Sequence, residues 1–211
     1  MARARLDVEA LRLDDVRIIF SQNEDPSGNH HWGSRLVFDR AGKLFVTLGE
    51  RFHSRDRAQA LDSHLGKIVR IGMNGSVPAD NPFVQQAGAR PEVWSYGHRN
   101  VQGAALHPLS GELWAHEHGP QGGDELNRVL PGRNYGWPVI TFGREYVIGS
   151  RIGEGTSRAD VETPLKQWTP SIAPSGMAFY TGDVFPQWKG NLFVGALKFQ
   201  LLVRLVLDGD K

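Results

Sequence analysis

Cysteine is absent from all 211 residues, which excludes disulfide bridges, thiolate metal sites and cysteine nucleophiles together. The absence fixes no compartment, because a large β-domain can hold together in an oxidising space without bridges. Long apolar runs are lacking too: no stretch nears the roughly 18 apolar residues of a membrane-spanning helix. Charge of one sign is also missing. A formal net charge of +1, with acids and bases interspersed, gives no electrostatic case for nucleic acid. The opening Met1-Ala2-Arg3-Ala4-Arg5-Leu6-Asp7 has no apolar core of a secretory signal and, taken literally, indicates a cytoplasmic chain. Convincing long amphipathic helices do not occur; Arg57–Leu65 is the one short candidate.

Glycine (25) and proline (12) are plentiful and punctuate short apolar runs, which predicts an all-β fold with many turns. Three segments share one design. Leu36–Asp39 turns through Arg40-Ala41-Gly42-Lys43 into Leu44–Gly49. Ala105–Pro108 turns through Leu109-Ser110-Gly111-Glu112 into Leu113–Glu117. Ala178–Tyr180 leads through a longer loop ending Lys189-Gly190-Asn191 into Leu192–Ala196. Each has Gly, one residue, Leu, then an aromatic: Gly supplies a positive-φ turn position and the pair opens an outgoing strand. The copies lie about 70 to 80 residues apart, longer than a minimal propeller blade of roughly 40–45, so insertions must separate the strands. Val16–Phe20, Gly66–Ile71, Glu92–Tyr96 and Leu201–Leu207 are further strand candidates. A β-propeller is the predicted architecture; a β-sandwich is the alternative, but it does not call for the spaced hairpin signature. Neither end reads as a domain boundary, the last residues Asp208-Gly209-Asp210-Lys211 reading as a turn awaiting a strand. The expectation is an internal fragment of a longer protein, one partial domain over 1–211.

Residues 94–127 carry the densest chemistry. They set a guanidinium (Arg99), an amide (Asn100) and a Gly119-Pro120 turn followed by Asp124 and Glu125 at the ends of two predicted strands. Arg pairs carboxylates bidentately, and turn carbonyls with a carboxylate suit calcium, so the combination fits a multiply charged planar ligand beside a hard metal ion. The alternative for His116-Glu117-His118 is zinc, since residues 116 and 118 of a strand share one face, but no third ligand at suitable spacing is evident.

Asn29-His30-His31-Trp32-Gly33-Ser34-Arg35-Leu36-Val37, Tyr96-Gly97-His98-Arg99-Asn100-Val101-Gln102-Gly103, Glu117-His118-Gly119-Pro120, Gly123-Asp124-Glu125-Leu126-Asn127 and Asn134-Tyr135-Gly136-Trp137-Pro138 occur in this order. Together they resemble the soluble PQQ-dependent sugar dehydrogenases, the glucose/sorbosone dehydrogenase family, and within it the bacterial aldose sugar dehydrogenases. The resemblance runs from about Leu13 to Lys211. It implies a six-bladed propeller of which this chain is the middle, oxidation of the C1 hydroxyl of aldose sugars to lactones, PQQ and Ca2+ as cofactors, an external electron acceptor and a periplasmic setting. A homodimer of the parent protein is an arrangement open to it.

By the resemblance His31 is the catalytic base, an imidazole being suited to proton removal near neutrality. Without it, His31 reads as a packed strand-entry histidine. The glucose-specific branch has an acid before this histidine and here His30 stands there, so the resemblance leaves open which group orients His31. Arg99, Asn100, Tyr146, Ala196, Leu197 and Lys198 match cofactor-contacting positions, with Ser171 a weaker candidate. Gly119 and Pro120 are implied to give backbone carbonyls to the calcium that grips the quinone. Asp124 is implied to support the metal's waters or His31, and Glu125 with the Tyr135 carbonyl to hold a second, structural calcium. Near Ser171 the glucose-specific branch uses aromatics over the cofactor and Thr169 does not supply one, which implies a different sugar preference. Arg35, Arg51 and His53 fall in a possible substrate loop without an assigned role, and Asn81-Pro82-Phe83 reads as a structural turn. Two other functions remain open on this fold: a non-catalytic binding module or inactive fragment, and a calcium-dependent lactone hydrolase that works without PQQ.

Overall fold

The three Gly-x-Leu-aromatic signals each close a hairpin. Gly42, Gly111 and Gly190 have φ of 74°, 75° and 82°, the left-handed region that glycine enters without a Cβ penalty. Their backbone bonds match: Gly42 N donates to Asp39 O, Gly111 N to His107 O and Gly190 N to Tyr180 O, at 3.0, 2.9 and 2.8 Å. In this computed structural model, which describes residues 1–24 and 27–208, these hairpins open three successive antiparallel sheets.

The strands are β1 (Ala2–Asp7), β2 (Arg12–Ile18), β3 (Gly33–Phe38), β4 (Leu44–Leu48), β5 (Lys67–Ile71), β6 (Val93–Tyr96), β7 (Val101–Leu106), β8 (Leu113–Glu117), β9 (Asp124–Val129), β10 (Lys166–Trp168), β11 (Pro174–Phe179), β12 (Leu192–Ala196) and β13 (Leu201–Leu205). They pair in chain order as β1-β2, β3-β4-β5-β6, β7-β8-β9-β10 and β11-β12-β13. The first strands of the last three sheets pack side by side, β3 on β7 and β7 on β11. Successive meanders with neighbouring first strands make the all-β, propeller-type arrangement expected from the hairpin spacing, here an incomplete ring.

Alternation along the strands builds the core between sheets. Leu44, Val46 and Leu48 of β4 join Val69, Ile71 and Val93 on one face, while Phe45 points to the other and meets Ile68, Val101, Leu113 and Val129. Trp114 and Leu126 then pack on Leu192 and Val194 across the next interface. Every residue of β4 and β5 is buried because both faces of that sheet are covered. Each first strand carries a register shift near its start, at Gly33/Leu36, Val101/Gly103 and Pro174/Met177. Such bulges re-aim the chain, and all three lie at the same end of their sheets.

Two sequence expectations need correction. Arg57–Leu65 is not a helix: one 3-10 turn covers Arg55–Gln59, and the chain then runs to Gly66, whose φ of 64° reverses it. The buried Lys67 ammonium organises this stretch by donating to the carbonyls of Arg57, Ala58 and Leu65 at 2.9, 2.9 and 2.7 Å. The strand candidates omit β1, β9 and β10, whose charged or short segments lack an apolar alternation to announce them. The terminal turn expected at Asp208–Lys211 falls, from residue 209 on, outside the described residues. Asn81 is structural, as expected: its side-chain amide donates to Arg70 O and Pro91 O at 2.8 and 3.1 Å.

Candidate active site

The bulged ends of β3, β7 and β11 gather the predicted residues. His31 enters β3 with a left-handed φ of 52°, and its carbonyl lies so close to β4's end that a Cβ at Gly49 would stand 2.0 Å from it. That contact reserves position 49 for glycine and sets the next residue, Glu50, beside the imidazole: His31 Nδ1 and Glu50 Oε1 are 2.8 Å apart. Glu50 is wholly buried and is the orienting acid that the sequence left unassigned. With Nδ1–H donated to this carboxylate, Nε2 keeps the free lone pair. Burial lowers the His31 pKa below its usual range; the Glu50 bond opposes this, and the nearby Arg99 charge adds to the lowering. Burial and the Arg99 charge together favour the neutral imidazole.

Arg99 and Asn100 sit just before β7, both buried. The Glu117 carboxylate accepts from the backbone N–H groups of both Arg99 and Asn100, and its other oxygen lies 3.0 Å from His98 Nδ1. Glu117 thus fixes the turn that aims the guanidinium. Arg99 Nη1 donates to the carbonyls of His118 and Gly119, each at 2.9 Å, and Nη2 to the Tyr146 hydroxyl at 3.2 Å. Asn100 ties two sheets together, its side-chain oxygen accepting from Gly33 N at 3.3 Å and from Gln102 Nε2 at 2.9 Å.

The Gly119-Pro120 turn is pinned by Asp124, completely buried at the start of β9. One oxygen accepts from Gly119 N at 2.9 Å; the other accepts from Ser171 Oγ, Ile172 N and Ala173 N at 2.7, 2.8 and 3.0 Å. These bonds commit Asp124 to the turn and to the loop before β11 rather than to His31. Ser171 enters the site through the same carboxylate. Of the three residues at and after the end of β12, Ala196 is buried, Leu197 is exposed, and Lys198 lines a cavity.

Three cavities meet around these groups. One of about 250 Å3 is walled by Glu50, Phe52, Arg55, Arg99, Trp137 and Tyr146. A second, of about 490 Å3, is bounded by Gly119, Pro120, Tyr146, Ser171, Ala173 and Lys198. The third holds only about 10 Å3, near the size of one ion or water, and is lined by Glu117, Gly119, Glu125, Tyr135, Trp137 and Thr141. Burial, with the neighbouring Glu117 carboxylate, pushes the Glu125 carboxyl up to about 8. Glu50 Oε2, Arg99 Nε and Trp137 Nε1 are buried with no hydrogen-bond partner among the described residues. The donor set is what a planar polyanion and a hard cation require: guanidinium, ammonium and indole N–H groups for the first, carboxylates and turn carbonyls for the second. No cluster of three His, Asp or Glu side chains suited to a metal exists among the described residues, so a cation here relies on backbone oxygens as well. His118 Nε2 contacts Pro174 O at 2.7 Å, and the buried His116, lowered to about 3 by burial, lies tight against Gly103; among the described residues no third side chain joins them in a zinc site.

Sequence reasoning names the Arg, the Gly-Pro turn and the histidine, which the fold brings together; it gives Glu50 no role and has Glu117 only as part of a motif. The signal for Glu50 is present in Gly49-Glu50 at the end of a predicted strand; its partnership with His31, 19 residues away, is not.

The whole chain, residues 1–211, matches the family described as Glucose / Sorbosone dehydrogenase. It is 48% identical over 209 residues to the aldose sugar dehydrogenase YliI of Escherichia coli, covering 98% of this chain and 56% of that protein. A crystal structure of a glucose dehydrogenase superposes with a TM-score of 0.96 at 51% identity, over 100% of this chain and 61% of that one. The PQQ-bound aldose sugar dehydrogenase of Streptomyces coelicolor superposes with a TM-score of 0.77 at 31% identity, covering 99% of this chain and 55% of that one. The chain spans about half the length of the curated relatives it matches. A match that runs from the first residue to the last, on a fold whose site residues converge at one end of successive sheets, identifies the chain as a member of the glucose/sorbosone dehydrogenase family.

Proposed function

We propose that this chain carries the proton-accepting and cofactor-holding part of a PQQ-dependent aldose sugar dehydrogenase. The observation that carries the reading is the His31–Glu50 pair set beside the Arg99 guanidinium and the Gly119-Pro120 turn. His31 Nε2 takes the proton of the sugar's C1 hydroxyl as the C1–H bond yields its hydride, so that the aldose becomes a lactone. Bound PQQ would supply the acceptor for that hydride, and Ca2+ an electrophile that polarises the accepting carbonyl. Glu50 holds the imidazole in the tautomer that leaves Nε2 free and stabilises the imidazolium that forms. Arg99, with Lys198 across the adjoining cavity, would balance the negative charge of the bound cofactor. The Gly119 and Pro120 carbonyls, which here accept from Arg99 Nη1 and Gly122 N, would hold the calcium, and Glu125 with the Tyr135 carbonyl would hold a second one at the small cavity. Relatives named as aldose sugar, glucose and PQQ-bound dehydrogenases support this assignment. An external acceptor completes turnover, and a periplasmic setting belongs to the same reading.

The test is direct. The purified chain is incubated with PQQ and calcium, gel-filtered, and assayed for retained quinone absorbance and for dye reduction with glucose or xylose. Retention that Arg99→Ala abolishes supports the reading. Lactone hydrolysis without PQQ, with no quinone retained, would replace it with the hydrolase.

A further inference from the structure

Against the His31 ring, on the wall of the 250 Å3 cavity, stands a residue that the proposed chemistry does not use. Phe52 follows Glu50 by two positions, and both Arg51 and Phe52 are left-handed, with φ of 65° and 68°. Neither is glycine, and a bulky side chain in this region is an uncommon and costly conformation. Consecutive outliers of this kind persist only where the surroundings over-determine them, and they concentrate at ligand sites. Here their effect is geometric. The Arg51 guanidinium lies over the Trp32 ring at 3.1 Å, and the chain turns so that the Phe52 ring meets His31 edge-on, centroids 5.2 Å apart.

Phe52 is nevertheless not a core residue. It remains 38% exposed and lines the 250 Å3 cavity together with Glu50, Arg99 and Tyr146. Its ring faces that of Tyr146 across a centroid distance of 6.3 Å at a 30° tilt. The loop is held to the Tyr146 hairpin by one ion pair, Arg55 Nη1 to Glu145 Oε1 at 2.6 Å, between residues 90 apart in sequence. Both partners are half-buried, with side chains 43% and 33% exposed, so the pair adds only modestly to stability and chiefly sets the distance between the two walls. A half-open aromatic beside an imidazole, with carboxylate and guanidinium groups on the same cavity, has the make-up of a site for a ligand with an apolar face and a polar rim.

We propose that Phe52 is a sugar-positioning residue: the C–H face of the aldose ring packs on it, which brings the C1 hydroxyl to His31 Nε2. The proposal rests on the dehydrogenase reading above. The left-handed backbone at 51 and 52 exists to present this ring, and the Arg55–Glu145 pair fixes how wide a sugar the site admits.

Phe52→Gly tests it, because glycine suits the backbone at that position while removing the platform. The expected result is a KM for glucose or xylose raised roughly tenfold with kcat within about threefold, a split diagnostic of lost substrate binding. Phe52→Tyr, which keeps the aromatic face, restores the wild-type KM. Melting temperature stays within about 2 °C of wild type in both variants. A readout independent of turnover is saturation transfer by NMR from aromatic protons to sugar C–H protons in the PQQ-free chain, present in wild type and lost in Phe52→Gly. An unchanged KM, an undiminished transfer signal in Phe52→Gly, or no transfer in wild type overturns the proposal. Retained PQQ absorbance decides the underlying reading separately: quinone lost from wild type sinks the dehydrogenase, whereas quinone retained equally by wild type and variant with equal KM sinks only Phe52.

Discussion

The two ends of the same sheets are built on opposite principles. At the end formed by the Gly-x-Leu-aromatic turns, every left-handed position of those turns is glycine, and a Cβ at Gly42 or Gly190 would meet nothing within 4 Å. Bonds within each turn are short in sequence: Asp39 Oδ1 accepts from Ala41 N and Lys43 N at 2.9 and 2.7 Å, and Ser110 N donates to His107 Nδ1 at 3.2 Å; Arg40 links one turn to the next, donating to Leu109 O at 3.0 Å. At the other end, left-handed φ falls on His31, Ser34, Arg51, Phe52 and Ala173. Buried carboxylates there serve partners tens of residues away, and Glu50 Oε2 and Arg99 Nε are buried with no partner among the described residues. Local rules are satisfied where the chain only has to turn, and broken where side chains of several sheets must converge. Strain at one end is tolerated because the packed sheets hold it in place.

The sharpest way to break this contrast is His31→Ala, which is expected to lower the dye-reduction rate by about 10²–10⁴-fold while leaving the melting temperature nearly unchanged. A variant retaining the wild-type rate would show that the strained end is not where the chemistry lies. Next in size is Asp124→Ala. It strands Gly119 N, Ser171 Oγ, Ile172 N and Ala173 N, and chemical denaturation should show a loss of about 3–5 kcal/mol. Gly49→Ala drives a Cβ to within 2.0 Å of the His31 carbonyl; a cost of about 3 kcal/mol and a displaced base are expected, read by urea unfolding and by kcat.

Acidity tests the same end through Glu125. Its carboxyl, raised to about 8, stays protonated in the folded chain between the ordinary carboxylate range and pH 8, where the unfolded chain has already released the proton. The group's contribution to metal-free stability is thus present at low pH and lost as pH rises toward 8. Calcium needs the carboxylate, so below pH 8 its binding must displace a proton. The calcium-induced rise in melting temperature should be larger at pH 8.5 than at pH 6.5, by the equivalent of about 2 kcal/mol; an equal rise at both pH values would remove Glu125 from the ligand set. The smallest effect belongs to the turn end. Gly42→Ala forces a Cβ into a left-handed turn with open space around it, so about 1 kcal/mol is lost and activity is untouched.

What the sequence discloses follows the same division. The hairpins at Gly42, Gly111 and Gly190 are legible because a turn's requirements are met within four or five residues. β9 is hidden because Asp124, Glu125 and Asn127 look like surface positions, although their strand is buried between sheets. At the site, Arg99 and Gly119-Pro120 stand out by residue type, and the fold brings them into contact. Glu50 and Glu117 do not stand out, since an isolated glutamate signals solvent until its partners are known.

By itself, then, the sequence determined the all-β class, the positions of the turns and the order of the motifs, because these depend on backbone sterics and on alternation along a single strand. Only the tertiary structure decided which acid orients His31, which carboxylate fixes the turn at Arg99 and Asn100, and that Asn100 bridges two sheets. Those choices depend on distances between residues 17 to 67 positions apart. Nothing local along the chain encodes such distances; the packing of one sheet on the next does.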